Sequence, residues 1–142
     1  MKSSKNKSVM VVTLTVLLAM LLSLNVAAQP NSISDLTKHK YALDNLKAGI
    51  NSENIGVRKS AIYFAGKYQI IELVDCLVET LENENEASVR LLIAYSLYEI
   101  KDTEGMKAVK ELSLLDKDAK VKRMSKNLYN AFLENINTTA AL

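Results

Sequence analysis

Residues 54–68, 86–100 and 118–132 align without a gap at a spacing of 32. Asn54, Glu86 and Asp118 fall in one column, Val57, Val89 and Val121 in a second, and Arg58, Arg90 and Lys122 in a third. Further along, Phe64, Ser96 and Leu128 coincide, then Ala65, Leu97 and Tyr129, then Tyr68, Ile100 and Phe132. A fixed period of this length marks a chain built from repeated supersecondary units, and it excludes most single-core folds.

Each unit reads as a pair of helices. The first helix carries an apolar stripe at intervals of three and four: Val57, Ala61, Phe64, Ala65 and Tyr68, then Val89, Ile93, Leu97 and Ile100. The second offers Ile70 or Ile71, Val74, Leu77, Val78 and Leu81, and in the next unit Met106, Val109, Leu112 and Leu115. Polar breaks at "NSENIG", "KYQ", "ENENEAS", "KDTEG" and "DKDAK" divide the chain into six helices, and no strand-like alternation lasts more than a few residues. The opening helix, 35–49, with Ser34 or Asp35 as its cap, fits as the second half of a first unit. The closing helix, 119–134, fits as the first half of a last one. One helix pair cannot cover its own apolar faces, so the units must stack, and the expected fold is all-α: an α-solenoid of antiparallel helix pairs over residues 35–134.

Ahead of it, residues 1–28 read as an export signal. Lys2, Lys5 and Lys7 precede the apolar run "VMVVTLTVLLAMLLSL" at 9–24, and "VAA" at 26–28 supplies the small residues of a cleavage site. The alternative is that this segment is retained as a membrane anchor, making the chain a tethered accessory subunit. Residues 29–34 form a linker, and 135–142, "NINTTAAL", a frayed tail. The expected location is periplasmic or secreted, in a bacterium. Three of the 18 lysines and arginines leave with the signal, so 15 face 16 acidic residues, a net charge of −1. A chain so balanced does not present the basic surface that nucleic acid requires.

Cys76 is the single cysteine, so no intrachain disulfide forms and stability rests on packing. It reads as a small helix residue among apolar neighbours, the other reading being a reactive or dimer-forming thiol. His39 is the single histidine and lies between two lysines. With one His and one Cys, no metal site is expected, and no Gly-rich phosphate loop or nucleophile–base pair points to a cofactor or a catalytic residue.

The motif residues "NIGVRKSAIYFAG", "EASVRLLIAYSL" and "DAKVKRMSKNLY" share a turn acid or amide three residues before Val, with Arg after that Val in the first two and Ala four positions after it in the first. In this the chain resembles the HEAT-repeat family, particularly the short bacterial form shared with phycobilin-lyase relatives. The third copy departs from it at Lys122 and Ser125, which replace Arg and Ala. The resemblance implies a scaffold that binds proteins. Some lyase relatives are enzymes, but what they share with this chain is the repeat, and fold alone does not transfer function.

Two sets of residues are the candidate sites. Glu72, Asp75, Glu79, Glu82 and Glu86 recur at spacings of three and four and define one acidic helix face. Lys40, Asp44 and Lys47 sit on the helix before it, and Lys107, Lys110 and Glu111 on the helix after it. This face is either a solvated surface whose alternating sign helps neighbouring helices associate, or a recognition groove for a basic or mixed-charge protein segment. Tyr63 and Tyr95, at one repeat position, and Tyr98 and Tyr129 nearby, read as packing residues or as interface anchors. The second set is a structural ladder. Arg58, Arg90 and Lys122 stand in the first turn of their helices, where the macrodipole disfavours cations. Paired with Asn54, Glu86 and Asp118 along the stack, they would join successive units, Arg58 reaching Glu86 and Arg90 reaching Asp118.

Overall fold

The computed structural model describes residues 41–140, with side chains to 138. The expected export signal and linker, His39, Lys40 and the start of the first expected helix lie outside the described residues. Six α-helices follow in order: α1 Ala42–Ile50, α2 Ile55–Lys67, α3 Val74–Asn83, α4 Ala87–Ile100, α5 Thr103–Leu115 and α6 Ala119–Ala140. A single 3₁₀ turn, Ile71–Leu73, leads into α3, and the described residues contain no strand. None of these helices is long and apolar enough to cross a membrane.

The period is visible in the backbone. α2, α4 and α6 begin at residues 55, 87 and 119, each 32 after the last. Gln69 and Lys101, also 32 apart, both adopt the left-handed conformation, with φ of 51° and 62°, in the turn from a first helix to its second. Asn54 caps α2 by accepting from the N–H groups of Gly56 (2.9 Å) and Val57 (3.2 Å). Asp118 does the same for α6, accepting from Lys120 (2.8 Å) and Val121 (3.0 Å). Glu86, in the same column, makes no side-chain cap.

α4 packs against both α2 and α6, while α3 packs against α1 and α5; α5 also lies along α6. Because α4 has helices on several sides, it buries Val89, Ile93, Ala94 and Leu97 completely. These meet Ile50, Ile62, Leu73, Leu77, Met106 and Val109 in one continuous core. Between α2 and α4, a Cβ on Gly66 would stand 2.6 Å from the Ser96 Cα, and the Ser96 hydroxyl donates to the Ile62 carbonyl at 2.9 Å.

The expected core changes at its edges. Val57 and Phe64 are 49% and 41% exposed, because the helices packed on α2 cover its other sides. Of Ile70 and Ile71 it is Ile70 that enters the core (2% exposed), while Ile71 (59%) turns outward in the 3₁₀ turn, and Leu115 (79%) stands at the open end of α5. The closing helix does not stop at 134 but continues to Ala140, where Thr138 Oγ1 donates to the Glu134 carbonyl (2.9 Å) and Asn135 Nδ2 approaches Tyr98 Oη (3.5 Å).

Two substitutions test this packing. Gly66→Ala removes glycine's helix penalty of about 1 kcal/mol, but the new methyl meets backbone that cannot rotate away. A net loss of about 1–3 kcal/mol in urea unfolding is expected. Ser125 is fully buried in the column of Ala61 and Ile93, and its hydroxyl has no hydrogen-bond partner among the described residues. Ser125→Ala should raise stability by about 1 kcal/mol, and a loss would show that the hydroxyl is satisfied.

Candidate functional site

The cations at the helix starts point back out of their helices. Arg58 Nη1 donates to the carbonyls of Ser52 (2.6 Å) and Glu53 (3.3 Å), in the turn that leads into α2. Its Nε donates to Glu84 Oε2 at 2.9 Å, across to the turn after α3. One repeat later, Arg90 Nη1 donates to the carbonyls of Glu84 (3.2 Å) and Asn85 (2.7 Å). Its Nε and Nη2 grip the Asp116 carboxylate, to Oδ2 at 2.6 Å and Oδ1 at 2.9 Å. All three Arg58 contacts recur 32 residues on at Arg90, which adds the Nη2 bond to Asp116.

The partners are therefore Glu84 and Asp116, not Glu86 and Asp118 as the spacing predicted. The Asp118 carboxylate is occupied in capping its own helix. Glu84 and Asp116 are the C-caps of the preceding helices, which sets their carboxylates in the turn itself. Each also accepts a backbone N–H two residues on: Glu86 N to Glu84 Oε1 at 2.8 Å, and Asp118 N to Asp116 Oδ1 at 2.7 Å. The signal that would have found them is a carboxylate 26 positions after each arginine. Lys122, the third member of the column, is exposed and makes no ion pair among the described residues.

The second joint is the more buried, its side chains 5% and 3% exposed for Arg90 and Asp116 against 16% and 5% for Arg58 and Glu84. The Arg90 hydrogen bonds hold the Asp116 carboxyl below its ordinary value of 3.8, with help from the Asp118 N–H and against the opposing effect of burial. Asp116 in turn raises the Arg90 guanidinium, which stays charged at any ordinary pH.

Beside each joint lies an open groove. The first, of about 350 Å³, runs between the ends of α1 and α3 past Arg58 and Glu84. The second, of about 550 Å³, runs between α3 and α5 past Arg90 and Asp116. Every residue lining the first has its counterpart, 32 positions on, lining the second. The chemistry nevertheless differs. Asn51, Ser52, Thr80 and Asn83 make the first polar, whereas Val78, Leu81, Leu112 and the exposed Leu115 give the second an apolar floor, with Glu82, Glu111 and Lys117 at its rim.

The acidic face is divided by the turns on either side of α3. Only Asp75, Glu79 and Glu82 are on α3; Glu72 lies in the 3₁₀ turn and Glu86 at the cap of α4, and all five are exposed. None of the five forms an ion pair among the described residues. Glu79 borders the first groove and Glu82 the second. Lys107 is taken up by Glu104 on its own helix at 2.6 Å. Lys110, at the position Val78 holds in α3, lies 5.7 Å from the centre of the Tyr129 ring on α6. Neither lysine lines a groove; Glu111 and Lys117 do.

Among the remaining candidates, Tyr63 and Tyr95 are each 46% exposed. Tyr98 and Tyr129 are partly buried against the core. Cys76 is a free, half-buried cysteine with Asn51 Nδ2 at 3.8 Å from its sulfur, and burial pushes its thiol above the ordinary value of 9.0, against thiolate formation. The described residues contain no cluster of three or more His, Cys, Asp or Glu suited to a metal ion. The chain matches no protein-family model, no curated protein and no solved structure.

The Asp116 joint has a defined pH dependence. The folded state binds this proton less readily than the unfolded state, so the contribution is complete above the ordinary value and is lost as pH falls through the folded one. Asp116→Asn should lower stability by about 3–5 kcal/mol at pH 7, the cost of stranding a buried arginine. It should also flatten the fall in stability below about pH 4. Urea unfolding at pH 7 and pH 3 measures both. A variant as stable as the parent at pH 7 would remove the joint from any structural role.

Proposed function

We propose that the chain is an exported, non-catalytic repeat protein of HEAT-like, α-solenoid architecture that binds another protein in the grooves between its second helices. The observation that carries this reading is the recurrence of the groove. Two clefts 32 residues apart share their framework of arginine, turn carbonyls and carboxylate, yet differ along most of the lining a ligand would meet: Ile50, Thr80, Asn83 and Asn85 in the first become Glu82, Leu112, Leu115 and Lys117 in the second. Conserved joints with divergent linings are what a modular recognition surface needs. The exposed, unpaired acids beside the clefts supply an electrostatic preference for a basic or mixed-charge segment. No cofactor enters this function. Export rests on the pattern at residues 1–28, and retention of that segment would place the same surface on a membrane-tethered subunit.

The test places a photo-crosslinking amino acid at Leu115, in the second groove, and separately at Lys126 on α6, in cells that produce the protein. Crosslinked partners are expected from Leu115 and not from Lys126. They should be lost when Glu82→Lys and Glu111→Lys are combined. A captured set unchanged by that reversal would discard the groove as the binding site.

A further inference from the structure

α2 exposes an apolar face at positions that the other first helices bury. Val57 and Phe64 are 49% and 41% exposed, whereas of their counterparts Val89, Ser96 and Val121 are at most 2% exposed and Leu128 is partly buried. The face is ordered by its aromatics. The Phe64 ring stacks on Tyr68, with centroids 6.0 Å apart at 14°, and Tyr63 leans against Phe64 at 5.8 Å. The Lys67 ammonium closes one end, 5.5 Å from the Tyr68 ring centre.

The repeat itself indicates what fits here. Within the chain, such a face receives the forward side of the preceding first helix, as Gly66 and Ile62 of α2 meet Ser96 of α4. On α6 the same forward positions hold Lys126 and Asn130, both exposed. A head-to-tail neighbour would thus press a lysine onto Phe64 and Lys67, at a cost in desolvation and repulsion. An isologous contact has no such conflict, because it sets apolar face on apolar face. Its charges also match. Glu53, exposed just before α2, and Lys67, at its end, form no ion pair among the described residues. With the two α2 helices antiparallel, Glu53 of one copy lies beside Lys67 of the other at both ends of the contact.

We propose that the chain forms a two-fold dimer through α2, in which a second copy covers Val57, Phe64 and Tyr68 and each Glu53 pairs with the other copy's Lys67. A contact of one helix face per copy belongs to the small, reversible class of interface, with a dissociation constant roughly in the micromolar range.

Sedimentation equilibrium tests this on the protein purified as cells produce it, its N-terminus identified by mass spectrometry. The mass should rise from one chain to two with concentration and stop there. Phe64→Glu should weaken association at least tenfold while circular dichroism shows the helix content of the parent. Lys67→Glu alone should weaken it, and Lys67→Glu with Glu53→Lys should restore it. A single-chain mass at all concentrations overturns the proposal. So does a dimer indifferent to Phe64→Glu, or a mass that climbs past two chains.

Discussion

The rest of the structure depends on a guanidinium placed where a helix should not tolerate one. Arg58 and Arg90 enter the first turn of their helices against the macrodipole, and each is neutralised by a carboxylate from the following turn. Buried ion pairs are often no more stabilising than apolar residues of the same volume. That exchange is not open here. Arg90 also serves the Glu84 and Asn85 carbonyls, and Asp116 also accepts the Asp118 N–H. An apolar substitute would leave these backbone groups without their partners in a low-dielectric turn. The joint is thus a means of satisfying two turns at once, and only a planar fork with several donors can do it.

From this joint follows the spacing of the grooves. Each guanidinium ties the turn entering one first helix to the turn entering the next, which fixes the distance between the ends of successive second helices. The cleft beside it is then free to vary, since none of the joint's hydrogen bonds depends on what lines the walls. Thr80 in the first groove becomes Leu112 in the second, and Asn83 becomes Leu115, with no change in the arginine's contacts. The linings can therefore diverge between units without loss of architecture.

The period of 32, the six helices and the starts of α2, α4 and α6 were legible because each depends on local pattern: apolar spacing, polar breaks and caps. The identity of the arginines' partners was not, because column alignment favoured Glu86 and Asp118, while capping geometry had already committed Asp118 to its own helix. A period of three and four also ran through the turns around α3 as though they were helical, joining Glu72 and Glu86 to a face that α3 alone does not present. Exposure was the least legible property. Val57 and Val89 are identical residues in identical columns, one 49% exposed and the other fully buried. Burial belongs to the neighbour, and a repeat alignment records only the residue.

The two outer helices of the first-helix row are closed by different chemistry. On α6, the column of Arg58 and Arg90 holds Lys122, and the column of Ile62 and Ala94 holds Lys126. A lysine cannot fork between two carbonyls and a carboxylate, and no carboxylate among the described residues meets it, so it stays in solvent. α6 thus carries a charged outer surface that resists further stacking. α2 carries instead the aromatic side chains that would be core residues one unit later. A stack with two apolar ends would polymerise, and one with two charged ends would remain alone. With one of each, association through the apolar end saturates after a single step.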